Sequence, residues 1–315
     1  MRTLASCRII IAIVLGLSFA LGLQGAPKIG VLLKAKTNFW NAAEKGALDA
    51  GEKLGAEVTV KAPPNETDIA IQIQLLNALV AQGAQAIVIA PESREALVEP
   101  LAAVMAKGVK VVVIDTTLAS GNTPVFVGTD QTEAGRAAGT FLAGLVGDTD
   151  VVSILRHSQT SGATIQRETG ALEKLREIHP KLTIHQNIFA SGERGVEVER
   201  SLLLLQQHPE SKAILASGTP GTMAMLKVLQ DKKLAGTIKF VGFGFNLNHE
   251  VDAAIKSGAM EAWIAQLPGE VAFQGVKAAL ALIDGKEVPA VIHTDFLVIT
   301  KANIADPKVQ ALMEE

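Results

Sequence analysis

Short apolar runs that each end in a small or polar residue recur along this chain. Val31-Leu32-Leu33 runs into Lys34, Ile87-Val88-Ile89-Ala90 into Pro91-Glu92-Ser93, and Val111-Val112-Val113-Ile114 into Asp115. Val152-Ser153-Ile154-Leu155 runs into Arg156-His157-Ser158, Ala213-Ile214-Leu215-Ala216 into Ser217-Gly218-Thr219, and Phe240-Val241-Gly242-Phe243 into Gly244-Phe245-Asn246. A stretch with helical spacing follows nearly every run. Strands buried on both faces read as continuous apolar runs, and parallel neighbours need crossover helices between them. In open α/β sheets a ligand sits beyond the carboxyl ends of the strands. The polar residues that close these runs are therefore where a ligand would be held.

The pattern predicts strands at 28–33, 57–61, 86–90 and 110–114, with helices from Asn38, over 69–81 and over 93–107 between them. In the first helix Trp40, Ala43, Ala47, Ala50 and Leu54 recur at three- and four-residue spacing, and Gly55 supplies a stop. Residues 118–124 read as turn material, followed by a short strand at 125–127. The strand–helix rhythm then restarts. Helices are expected at 131–145, 164–178, 195–207, 221–230 and 248–257, and strands at 151–155, 182–187, 213–216 and 239–243. A strand at 260–265, a helix at 269–283 and a last strand at 296–299 come late. Two wound α/β sheets in tandem are the economical reading.

At 315 residues the chain is long enough for two domains, each with its own core. Apolar residues make up 48% and charged residues 19%, which excludes a disordered chain. The formal net charge of −3 comes without a basic block or stripe, which argues against a nucleic-acid partner. The first 26 residues read as a secretory signal peptide: Arg2 and Arg8 precede an apolar run over 9–23, then small residues. Cleavage is expected after Gly22, Gly25 or Ala26, with an uncleaved anchor as the alternative. The one cysteine, Cys7, precedes the apolar run, so neither a lipid anchor nor a disulfide is expected in the mature chain. Loss of Arg2 and Arg8 would leave 27 basic against 32 acidic residues, a net charge of −5.

Catalytic patterns are missing. There is no G-x-S-x-G elbow, no phosphate-binding G-x-x-x-x-G-K-[S/T] loop, and no G-x-G-x-x-G after the first strand. The six histidines are scattered with no H-x-x-x-H pair, so no metal site and no cofactor are expected. His157 differs from the other five because it ends a strand, where it could line a cleft. Tyr is absent, so an aromatic platform must use Phe or Trp.

A secreted two-domain α/β chain without a catalytic constellation suggests a receptor, and the residues carry a resemblance. Residues 29–41 (Ile-Gly-Val-Leu-Leu-Lys-Ala-Lys-Thr-Asn-Phe-Trp-Asn) with Glu44-Lys45-Gly46-Ala47 resemble the first strand and helix of periplasmic sugar-binding proteins. The similarity is to the ribose/allose-binding type, the substrate-binding components of ABC transporters. Ala90-Pro91-Glu92-Ser93, Val113-Ile114-Asp115, Val127-Gly128-Thr129-Asp130, Gln166-Arg167-Glu168-Thr169-Gly170, Val241-Gly242-Phe243-Gly244 and Ile264-Ala265-Gln266-Leu267-Pro268 follow in the family's order. The resemblance implies two Rossmann-like lobes with parallel sheets joined by three hinge segments, the type I periplasmic binding protein fold. The crossings are expected near 129–131, 266–268 and 294–296. That puts residues 27–130 and 267–294 in an N-terminal lobe, and 131–266 and 295–315 in a C-terminal lobe.

Carried onto this sequence, the resemblance makes Phe39 and Trp40 an aromatic pair against a sugar ring, Lys34 and Asp115 hydroxyl-binding residues, and Gln266 a pocket glutamine at the hinge. An aromatic face covers C–H surface at low entropic cost, and a carboxylate accepts two hydroxyl hydrogen bonds at once. Alternative readings are a core position for Trp40, a solvated strand end for Lys34 and a hinge hydrogen bond for Gln266. Three positions depart from the family. Its pocket arginine falls at Thr169, with Arg167 a possible substitute; its pocket asparagine falls near Gly218 and Thr219; its second aspartate falls at Gly244, with Asn246 nearby. These losses argue against ribose and leave another polyol, a deoxy sugar, a furanone-like signal or another small neutral molecule as candidates, with Phe245 either an added apolar wall or a core residue. The expected function is a periplasmic, monomeric, non-enzymatic solute-binding protein that delivers its ligand to an ABC permease. The alternative is a protein that presents a ligand to a chemoreceptor or sensor kinase.

Overall fold

A computed structural model describes residues 25–65, 68–119, 124–159, 161–190 and 195–313. The expected signal peptide lies almost wholly outside the described residues, and among these no helix is long and apolar enough to cross a membrane. The chain forms two six-stranded sheets, each flanked by helices. The first contains β1 (Lys28–Leu32), β2 (Glu57–Lys61), β3 (Ala86–Ile89), β4 (Lys110–Ile114), β5 (Val125–Thr129) and β11 (Val291–Thr294), in the order β11-β5-β4-β3-β1-β2. The second contains β6 (Val151–Arg156), β7 (Thr183–Phe189), β8 (Ala213–Ala216), β9 (Lys239–Phe245), β10 (Ala262–Gln266) and β12 (Phe296–Thr300), in the order β12-β10-β9-β8-β6-β7. All pairings are parallel except β10 with β12. This is the expected two-lobe α/β architecture.

The central strands explain the apolar runs. β3 and β8 are buried along their whole length, because helices cover both faces of each sheet. The helices are α1 (Asn38–Leu54), α2 (Ile69–Ala81), α3 (Val98–Ala106), α4 (Gln131–Ala143), α5 (Gly162–Ile178), α6 (Glu197–Gln207), α7 (Thr219–Asp231), α8 (His249–Ser257), α9 (Pro268–Ile283) and α10 (Pro307–Gln310). α1 buries Trp40, Ala43, Ala47 and Ala50 and ends at Gly55 in the left-handed conformation, as its sequence implies, whereas Leu54, expected on the same face, is exposed at the helix end.

Two helix pairs pack backbone against backbone. A side-chain carbon at Gly46 of α1 would overlap the carbonyl of Gly269 in α9. Carbons at Gly135 of α4 and Gly170 of α5 would overlap the carbonyls of Arg167 and Thr132. The second contact fixes the depth of α5, and with it the place of Arg167.

Three differences from the sequence expectation have local causes. Helix α3 starts at Val98 rather than near residue 93, because Ser93 Oγ accepts from the Ala96 N–H and a turn runs through to Leu97. Helix α7 starts two residues earlier than expected, at Thr219, with Pro220 in its first turn, where a missing N–H costs nothing. Strand β11 carries no apolar run. It is an edge strand paired only with β5, and only Thr294 in it is buried, so its register depends on a partner about 165 residues away. The chain crosses between the sheets three times, after β5, after β10 and between β11 and β12.

Candidate functional site

The carboxyl ends of both sheets face a cleft of about 510 Å³. On the first lobe, Lys34 follows β1 and Asp115 follows β4. Lys34 Nζ donates to Asp115 Oδ2 at 2.8 Å and to Thr116 Oγ1 at 2.7 Å, and sits 5.4 Å from the centre of a Trp40 ring. Asp115 adopts φ +62°, a left-handed conformation that Asp tolerates better than most residues. That turn brings the carboxylate to the strand end. Burial pushes the Asp115 pKa up, but the charge and hydrogen bond of Lys34, the Thr116 hydroxyl and Arg167 together hold it below the ordinary carboxylate value. The loop carrying Lys34 is tied to the loop after β3 by buried Gln72. Its amide donates to the Leu33 and Ala90 carbonyls and accepts from the Glu92 N–H.

Phe39 and Trp40 open α1. Trp40 is both core and wall: only 3% of it is exposed, yet it lines the cleft. Phe39 meets Trp40 edge-on at 4.8 Å and reaches across to Phe245 at the end of β9, 5.2 Å away. Phe245 is thus an aromatic wall on the second lobe.

On that lobe Arg167 is buried and linked to the hinge. Its Nε donates to Gln131 Oε1 at 2.7 Å, its Nη1 donates to the Ser217 carbonyl at 3.0 Å, and its guanidinium lies 5.1 Å from the Phe243 ring centre. Gln131 Nε2 in turn donates to Gln266 Oε1 at 2.9 Å. Gln131 opens α4 after the first crossing and Gln266 ends β10 before the second. One hydrogen-bonded chain therefore runs from both crossings to Arg167. Burial pushes the Arg167 pKa down to about 10, against the pull of Asp115 and Glu168. Glu168, the next residue, is occupied elsewhere. It accepts from Arg156 Nε at 2.6 Å and from Ser217 Oγ at 2.7 Å.

Lys34, Phe39, Trp40, Asp115, Arg167, Thr219 and Gln266 all line the cleft. Thr169 and Asn246 do not. Thr169 sits on the exposed face of α5, its hydroxyl donating to the Ile165 carbonyl at 2.9 Å. Two residues along a helix turn it by roughly 200°, so Arg167 and Thr169 cannot face the same way. Asn246 turns at φ +46°, its backbone carbonyl accepting from Trp263 Nε1 at 2.8 Å, and its neighbours Phe245 and Asn248 take the cleft positions instead. Gly244 has no room for an acidic side chain, because a carbon there would overlap the Trp263 ring.

His157 lines the cleft, as its strand-end position allowed. Its ring packs against Gly218, its buried Nδ1 has no hydrogen-bond partner among the described residues, and burial with nearby Arg167 pushes its pKa down. Sequence reasoning offered Phe245 as a wall or a core residue and missed Gln131 and Asn248. Gln131 was legible only as part of a crossing.

Spacing also gave no hint of one cluster away from the cleft. His185, His208 and Glu210 bring potential metal-ligand atoms within 4.8 Å of one another. The two imidazoles stack at 3.8 Å with an 11° interplanar angle, so their in-plane lone pairs run side by side instead of converging on one ion.

The fold agrees with that of known proteins. The profile of the periplasmic binding protein domain matches residues 29–287. The D-allose-binding periplasmic protein of Escherichia coli is 28% identical, covering 87% of this chain and 90% of its own length. The D-ribose/D-allose-binding protein of Pseudomonas aeruginosa is 28% identical, covering 95% and 99%. A carbohydrate transporter solute-binding protein of Agrobacterium radiobacter, solved with D-arabinose, superposes with a TM-score of 0.82 at 29% identity, over 92% of this chain and all of that one. The chain belongs to the periplasmic binding protein family.

Proposed function

We propose that this protein captures a small polyhydroxylated ligand between its lobes in the periplasm and delivers it to an ABC permease. The observation that carries the reading is the composition of the cleft. Aromatic faces from both lobes, Phe39 and Phe245, lie beside groups that accept and donate to hydroxyls: Asp115, Lys34, Thr219, Gln266 and Arg167. Aromatic rings cover the C–H faces of a sugar, and charged groups give the stronger hydrogen bonds to its hydroxyls. Asp115 Oδ2 is engaged by Lys34 and Thr116, and its second oxygen is the acceptor offered to the ligand. Relatives named for allose and ribose, and one solved with D-arabinose, support the ligand class.

The lobes comprise residues 27–130 with 267–294, and 131–266 with 295–315. Support comes from β11 pairing with β5, β12 with β10, and Leu247 with Met313. Closure about the three crossings would move the Gln131–Gln266–Arg167 chain as a unit.

The test is calorimetric titration and thermal shift of the mature protein with pentoses, hexoses, deoxy sugars, sugar acids and polyols. The expected result is a one-to-one complex with at least one of them. Asp115→Ala should weaken it at least about a hundredfold, from the loss of two charge-assisted hydroxyl contacts. A folded, ligand-free protein that binds none of them refutes the reading.

A further inference from the structure

Given that the cleft is a solute site, as proposed above, its charges narrow the ligand further. Among the described residues lining it, the ionisable side chains are Lys34, Asp115, His157 and Arg167. Lys34 and Asp115 neutralise each other in a direct ion pair. Burial and the nearby Arg167 charge push the His157 pKa down, which disfavours its charged form. Glu168 is spent on Arg156. Arg167 remains. It is 5% exposed, its hydrogen-bond acceptors among the described residues are the uncharged oxygens of Gln131 and Ser217, and it forms no ion pair among them. At Gly244, beside this site, the Trp263 ring takes the volume an acidic side chain would need.

The charges of Asp115 and Glu168 act on Arg167 from a distance, but each is already paired, with Lys34 and Arg156, and a buried cation whose direct acceptors are neutral is costly, a cost that a bound anion removes. The surrounding backbone has the same bias. The first turns of α1, α5 and α7 contribute Asn38, Thr164 and Thr219 to the cleft, and helix N-termini carry partial positive charge.

We propose that the ligand is a sugar acid, an aldonate or uronate whose carboxylate pairs with Arg167 while its hydroxyls meet Asp115 and Lys34. A planar guanidinium matches a carboxylate in two parallel charge-assisted hydrogen bonds, whereas a pair of adjacent neutral hydroxyls can accept the same two donors only without the compensating charge.

The test is calorimetry on the mature protein, freed of co-purified ligand by unfolding and refolding, with matched pairs: D-galacturonate and D-galactose, D-glucuronate and D-glucose, D-gluconate and D-glucose, D-ribonate and D-ribose. For at least one pair the acid should bind at least about tenfold tighter than its neutral partner. Arg167→Gln should bring the two within about threefold, whereas Arg167→Lys, which keeps the charge, should retain part of the preference. The wild-type comparison decides even where a variant does not fold. If neutral sugars bind as tightly as the acids or more tightly, the inference falls and the solute-binding reading stands. If neither member of any pair binds and the wider sugar and polyol panel is silent too, both fall. If only neutral members of that wider panel bind, the inference alone is overturned.

Discussion

Replacing Gly135 by alanine sets two effects of opposite sign against each other at the contact that positions Arg167. Gly135 is buried within α4, where alanine is favoured over glycine by about 1 kcal/mol. Against that, the added methyl would overlap the Arg167 carbonyl on α5. The clashing atom is backbone, so no side chain can rotate away, and α4 and α5 must separate. Overpacking in a filled interior costs about 1–3 kcal/mol, and separation also loosens the apolar contact along the pair. The cost is reinforced at neighbouring positions: a carbon at Gly139 would lie 2.6 Å from the Ala171 carbonyl, and one at Gly170 would overlap Thr132. The steric cost should exceed the helical gain, for a net loss of about 2 kcal/mol or a fall in melting temperature of about 4–8 °C. Differential scanning calorimetry measures this directly. Because the shift moves Arg167 relative to Gln131, ligand affinity should drop as well. A Gly135→Ala protein at least as stable as its parent would refute the backbone contact between α4 and α5 and the positioning argument built on it.

Further outcomes follow from the second lobe. Glu168→Gln removes the charge that pairs with Arg156 inside a buried network, and should cost about 2–4 kcal/mol in denaturant unfolding; an unchanged midpoint would show that Glu168 does not organise the ends of β6 and β8. His157 is held below its ordinary pKa of 6.5, so the unfolded chain takes up its proton first. Its contribution to stability is full above that value and declines as the pH falls from about 6.5 toward the folded pKa. The pH dependence of unfolding over that window should flatten in His157→Gln, and a profile identical to the parent's would overturn the assignment.

Much of the fold was legible because parallel strands covered on both faces must be apolar throughout, and few other structures demand that pattern. β2, β3, β4 and β8 fall within a residue of the sequence boundaries. Strand β11 was not legible, because an edge strand with one buried residue carries no such pattern. Among the site residues, Lys34 and Asp115 could be placed at the strand ends they occupy, but their 2.8 Å contact spans 81 positions and needs β1, β3 and β4 side by side. Counting along α5 could not choose between Arg167 and Thr169. Only the close approach of α4 decided which of them turns inward.

Local chemistry in the sequence therefore determined the alternation of strands and helices, the strand-end position of the polar residues and the glycine stop of α1. Each depends on a few consecutive residues and on whether their side chains favour burial. The tertiary structure alone decided which polar groups share a charge and which stand alone. Lys34 with Asp115, Glu168 with Arg156, and Arg167 with Gln131 and Ser217 are meetings of side chains from separate elements. Electrostatic and hydrogen-bond energies depend on distances between side chains, and those distances are set only when the sheets, helices and crossings are packed together.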